Sequence, residues 1–138
     1  LAVVVSEEHP LAAKSAVELQ DLCQFPFILT EGTTGKMVLE LFKRSSFFPN
    51  IQYNNIQIMS MLSMVSSGVG VSVTAELSIP IRNQGKVGSY LVKPLIPIVK
   101  REICLAVQNI HHLSPAAEAF VKVAKRLQRA GKLKHLET

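Results

Sequence analysis

Short apolar runs alternate along this chain with stretches of helical periodicity, and that alternation restricts the fold more than any single motif. Residues 1–5 (LAVVV) and 25–30 (FPFILT) are too short for helices and are apolar on both faces, the pattern of buried strands. Residues 36–44 then place Met37, Val38, Leu41 and Phe42 on one broad apolar face. Residues 58–65 do the same with Ile58, Met61, Leu62 and Val65, and residues 69–73 (VGVSV) return to strand character. The order β, β-α-β-α-β, β, β-α implies an α/β domain with a mainly parallel sheet flanked by helices.

The punctuation between these elements is chemical. His9-Pro10 ends the first strand, because the residue before a proline is pushed to extended conformations. Ser15 is expected to cap a short turn through Val17, Leu19 and Leu22. Residues 30–35 (TEGTTG) read as a polar loop opening the helix at 36. Ile51 and Tyr53 alternate with polar neighbours, as in a half-exposed strand. Gly68 can close the second helix in a left-handed conformation, and Gly70 inside a strand implies a close backbone approach.

Residues 75–79 suggest one helical turn and residues 80–88 a basic loop. A strand at 89–95 meets Pro94 and Pro97, which suits an edge. Residues 102–108 predict a strong strand with Ile103, Leu105 and Val107 on one face. Ser114-Pro115 is a favoured helix start, and Ala116, Ala119, Phe120, Val123 and Leu127 predict a buried stripe beyond it.

The 138 residues suit one compact domain, or one small domain with attachments. At 48% hydrophobic and 18% charged, the chain has enough apolar material for a core, which excludes a disordered segment. No apolar run approaches the ~20 residues of a membrane-spanning helix, and no basic stretch with a long apolar sequel marks a secretory leader. The chain opens without Met, directly in a strand, and is expected to be a piece of a longer protein. Cys23 and Cys104 stand far apart in apolar contexts, so they read as small core residues in a reducing cytoplasm.

The net charge of +5 comes largely from Lys122, Lys125, Arg126, Arg129, Lys132 and Lys134, expected to form a solvated face, since no base-reading pattern accompanies them. His9, His111, His112 and His135 show no metal-ligand spacing with carboxylates, and no local motif pairs a cysteine with a histidine. No catalytic residue, metal or cofactor is therefore expected.

Two places could receive a ligand. In open α/β sheets, ligands sit at the carboxyl ends of strands, where loops enter helices. The loop at 30–35 offers glycines, threonine hydroxyls and a helix N-terminus, which favour an anion; the same residues also describe a capped turn without a ligand. The second loop, 54–60, leads into the helix that carries Ser63, a residue equally suited to packing or to solvent.

Four stretches together resemble the effector-binding region of LysR-type transcriptional regulators: VVVSEEHPLA, VELQDLCQFPFILTEGTTGK, MLSMVSSGVGVSV and REICLAVQNIHHLSPAAEAF. In this order and spacing they cover nearly the whole chain. The resemblance implies a periplasmic-binding-protein-like (type II) fold, two α/β subdomains joined by two crossover strands around a ligand cleft. On that template residues 1–8 hold the first crossover strand, residues 9–98 the second subdomain, and residues 99–138 the second crossover strand and a C-terminal helix of the first subdomain.

The resemblance further implies a small polar or anionic effector contacting Thr30, Gly32, Thr33, Thr34 and Ser63. It implies a dimer through residues 36–44 and 51–53, and a tetramer for the full-length protein. DNA would be bound only through an absent N-terminal helix-turn-helix, in the cytoplasm and without a membrane. Redox-sensing relatives carry a cysteine where Thr33-Thr34 stands, which argues against thiol-based sensing here. Ala75 stands where the family often has proline, a departure at one cleft edge. A fragment of a periplasmic solute-binding protein of a transporter is the alternative that shares this fold.

Overall fold

A computed structural model describes residues 1–80, 89–107, 109 and 112–130, in two compact units, Leu1–Val99 and Lys100–Thr138. The basic loop expected at 80–88 lies beyond Pro80 outside the described residues, as do Gln108, His111, Lys132, Lys134 and His135.

In the first unit, strand β1 (Ala2–Ser6) is buried along its entire length. It runs antiparallel to β5 (Ser72–Thr74) on one side and to β6 (Tyr90–Ile96) on the other. A two-residue strand, β2 (Val17–Glu18), adds parallel to the far end of β6, giving the order β2-β6-β1-β5. Strands β3 (Pro26–Thr30) and β4 (Asn50–Ile56) form a parallel pair. That pair is tied to the rest: the Ile28 N–H donates to the Val71 carbonyl and the Val71 N–H to the Pro26 carbonyl, each at 2.9 Å. The fold is therefore α/β with parallel β2–β6 and β3–β4 pairs, and β1 is the antiparallel member.

The period of two in β1 and β3 divides the core between two faces. Val3, Val5, Phe27 and Leu29 join one cluster with Leu19 and Leu22 of α1 (Leu19–Leu22) and Val38 and Phe42 of α2 (Gly32–Arg44). Val4 and Ile28 point the other way, onto Met61, Leu62 and Val65 of α3 (Ile58–Ser66). Phe27 and Phe42 meet edge to face, with ring centroids 5.4 Å apart, a favoured aromatic geometry. Gly68 takes φ +76° just after α3, as its position predicts. At Gly70 a Cβ would overlap the Pro26 carbonyl oxygen, so the chain approaches β3 here as only glycine permits.

Several expectations change. The cap of α1 is Glu18, not Ser15: the Glu18 N–H donates to the Asp21 carboxylate at 3.0 Å, a reciprocal contact that Ser15 lies too early to make. Helix α2 begins at Gly32, four positions before residue 36, so Thr33 and Thr34 occupy its first turn. Strand β6 runs through Pro94 to Ile96 and lies between β1 and β2 in the sheet order, β1 pairing with residues 90–94 and β2 with Leu95 and Ile96. Over residues 90–94 it is paired on one side only, which leaves room for a proline without losing a ladder bond.

In the second unit, residues 102–107 carry no strand, and Ile103, Leu105 and Val107 are exposed. A strand is defined by its partner, and among the described residues none pairs with this segment. Cys104 is exposed and is not the core residue expected, whereas Cys23 is half-buried and packs against the core. Helix α4 (Pro115–Arg129) starts as predicted, with Ser114 accepting from the Ala117 N–H at 3.3 Å. Its apolar stripe, however, is not buried: Phe120 is 61% exposed and Val123 45%. Amphipathic periodicity shapes a face but supplies nothing to cover it.

Candidate functional site

Two helices start side by side at the carboxyl end of the β3–β4 pair. β3 feeds α2 through Glu31, and β4 feeds α3 through Gln57. The two junctions are joined directly, because the Glu31 N–H donates to the Ile56 carbonyl at 3.0 Å. The first-turn N–H groups of a helix have no intrahelical acceptor. At neither start does the cap residue's side chain supply one. The pair of helix starts therefore presents positive partial charge at one edge of the sheet.

The chain bends into this arrangement at two strained points. Gly32 has φ +75° and open space where a Cβ would stand, so glycine serves backbone conformation there. Asn55, at φ +55°, makes the corresponding bend at the end of β4; asparagine tolerates the left-handed region better than most residues. Gly35 is a steric requirement, since a Cβ there would overlap the Thr30 carbonyl oxygen. This contact seats the first turn of α2 on the end of β3.

Thr30, Gly32, Thr33 and Thr34 all fall at the β3–α2 junction. Thr30 ends β3 and is 6% exposed, and its Oγ1 makes no hydrogen bond among the described residues. Leaving a buried hydroxyl unpaired costs about 1–3 kcal/mol, so the group stands out among the buried side chains of the described residues. Thr33 is exposed and Thr34 half-buried. Ser63 is different: it sits in the second turn of α3, exposed, and its hydroxyl donates to the Met59 carbonyl at 3.1 Å. Its hydroxyl hydrogen is engaged within its own helix, and the residue that joins the two junctions through a hydrogen bond is Ile56, the last residue of β4.

Sequence reasoning missed Glu31, Asn55 and Gln57 individually. The Asn54-Asn55 pair was the available signal, because asparagine is enriched where a strand must turn sharply. Glu31 and Gln57 became visible only once the helix starts were located.

A LysR substrate binding domain family model matches residues 1–129. The chain is 29% identical over 130 residues to YvbU, an uncharacterized HTH-type transcriptional regulator of Bacillus subtilis (strain 168), covering 92% of this chain and 43% of that protein. It is 30% identical over 122 residues to YybE, another such regulator of the same organism, covering 87% of this chain and 40% of that protein. It thus spans about two fifths of the length of these curated relatives. Among solved structures it resembles the effector binding domain of QuiR in complex with shikimate, at 26% identity and a TM-score of 0.67, over 94% of this chain and 61% of that one. The type II periplasmic-binding-protein-like architecture, the sequence stretches that mark it and the match from residue 1 to 129 agree: the chain belongs to the LysR substrate-binding domain family, the effector-binding part of LysR-type regulators.

Proposed function

We propose that this chain senses a small polar or anionic metabolite at the β3–α2 junction, and that occupancy alters how a helix-turn-helix outside this chain engages DNA. The observation that carries the reading is the buried Thr30 hydroxyl, without a hydrogen-bond partner among the described residues, beside two helix starts whose cap residues make no side-chain hydrogen bond. A carboxylate or phosphate suits such N–H groups, and hydroxyls suit threonines. The shikimate in the QuiR domain, a hydroxylated carboxylate, has that chemistry and supports the reading by analogy. Thr30, Gly32, Thr33 and Thr34 form the proposed contact set. Ser63 belongs to it as an acceptor from a ligand hydroxyl, and as a donor to an anion only when its bond to Met59 is displaced.

In this proposal residues 1–8 hold one crossover strand, residues 9–98 one wall of the cleft, and residues 99–138 the return to the other subdomain. Copies pair through α2 and β4, whose Ile51 and Tyr53 are exposed at 37% and 41%, and the full-length protein is a cytoplasmic tetramer. The protein binds and does no chemistry. Ligand binding works through differential affinity for two arrangements, the only way a ligand shifts an equilibrium. The match to regulators rather than transport proteins favours this over a solute-binding fragment.

The test is operator binding by the full-length protein with and without a panel of hydroxy-carboxylates, shikimate included, for wild type and Thr30→Val. One member of the panel is expected to change operator affinity, and the valine variant to keep its fold while losing that response. Indifference of operator binding to every metabolite would overturn the reading.

A further inference from the structure

His9 stands where β1 ends, and three hydrogen bonds converge on it. Its backbone N–H donates to the Ser6 carbonyl at 3.1 Å, and its carbonyl accepts from the Ala12 N–H at 2.8 Å. Its ring does more than fill space: Nδ1 accepts from the Leu11 N–H at 3.2 Å, capping the 3-10 turn Pro10–Ala13. The other side of the ring meets Phe25 edge on, with centroids 4.4 Å apart. Pro10 has no N–H, so Leu11 supplies the first donor of that turn, and the Leu11 side chain is buried in the core.

An accepting Nδ1 carries no proton, which places the single ring proton of neutral histidine on Nε2. A second proton would turn the acceptor into a donor aimed at another donor. It would also place a cation in a partly desolvated position. The charged side chains on the neighbouring segments are Glu7 and Glu8 in the same turn and Glu18 at the start of α1, together with Lys14 and Asp21. Those last two bond each other at 2.7 Å, so Lys14 already has a carboxylate. Burial holds the His9 pKa below its ordinary value, with no charged neighbour contributing.

We propose that His9 is a protonation-sensitive latch: neutral, it pins the turn Pro10–Ala13 to the end of β1, and protonated, it releases Leu11 and loosens this corner of Leu1–Val99. Because the folded state disfavours the proton, the latch contributes fully above about pH 6.5, the ordinary imidazole value, and its contribution fades as pH falls through the lower folded value.

The experiment is thermal unfolding of the full chain from pH 7.5 to 5.5, for wild type, His9→Asn and His9→Ala. Asparagine caps a helical turn without titrating. His9→Asn is expected to match wild type at pH 7.5 and to lose roughly 3 °C less on acidification. His9→Ala is expected to melt lower at pH 7.5, with the gap closing at pH 5.5. Parallel pH curves for wild type and His9→Asn would overturn the proposal, as would an alanine variant as stable as wild type at pH 7.5. Ring and amide NMR of the wild type decides the matter without a variant. The Leu11 amide shift is expected to follow the His9 titration, below the free-imidazole value, and a Leu11 amide indifferent to that titration would refute the latch.

Discussion

β1 and residues 102–107 were expected to be a matched pair of crossover strands, and they differ completely. β1 is enclosed by β5 and β6, with Val3, Val4 and Val5 all at 0% exposure. Residues 102–107 place Ile103, Leu105 and Val107 in regular alternation, yet these are 56%, 53% and 41% exposed and no strand forms. Alternation creates a candidate strand, and a neighbour with free N–H and C=O groups makes it one. The same contrast separates the helices: α2 and α3 bury their stripes against the sheet, whereas α4 buries no residue.

The largest effect that would test this contrast comes from the enclosed side. Phe42→Ala, which removes a ring at 1% exposure packed on Phe27, is expected to cost about 3–5 kcal/mol in urea unfolding. Leu105→Ala should stay within about 0.5 kcal/mol of wild type, as surface substitutions do; a cost near that of Phe42→Ala would mean that residues 102–107 find a partner in solution.

Gly70→Ala forces β5's approach away from the Pro26 carbonyl and is expected to cost about 1–3 kcal/mol, read in the same unfolding curves. Ser114→Ala removes the α4 cap and should cost about 1 kcal/mol, visible as faster amide exchange in the first turn of α4 and not in β1.

The smallest effect is titratable. The Asp21 carboxyl is held below its ordinary pKa, first by the Lys14 hydrogen bond and then by the Glu18 N–H, against a desolvation that raises it. A depressed folded value means stability present above the ordinary carboxylate range and lost as pH falls through the lower one. Asp21→Asn should therefore flatten the acid limb below about pH 4 by well under 1 kcal/mol, since Lys14 is 46% exposed. An unchanged acid limb would show that the pair contributes nothing.

Much of this was legible in the sequence, and the division follows range. Gly68, Ser114 and the α3 stripe were readable because each acts through its own backbone or one turn of helix, and Gly70 because a glycine inside a strand marks a close approach even before its partner is known. The start of α2 was misplaced because a glycine and two threonines look like a loop until Glu31 is seen to cap them. The exposure of α4 and of residues 102–107 was unreadable, because burial belongs to pairs of surfaces and periodicity describes only one. At the site, the threonines were found by type and position. The joining of the two helix starts through Ile56 is a contact across separate β–α units, and nothing local marks it.

The enclosure of β1 also governs how the domain comes together in time. Ala2 pairs with Thr74 and with Pro94, so β1 leaves the ribosome roughly seventy to ninety residues ahead of the strands that will hold it. Until β5 and β6 are both present there is no slot for it, and once they are, an empty slot between them is an adhesive gap of strand width. Assembly of this unit is a non-local closure, the slow kind. During that interval the tether favours the chain's own β1, and a second nascent chain competes for the gap only where local chain concentration is high.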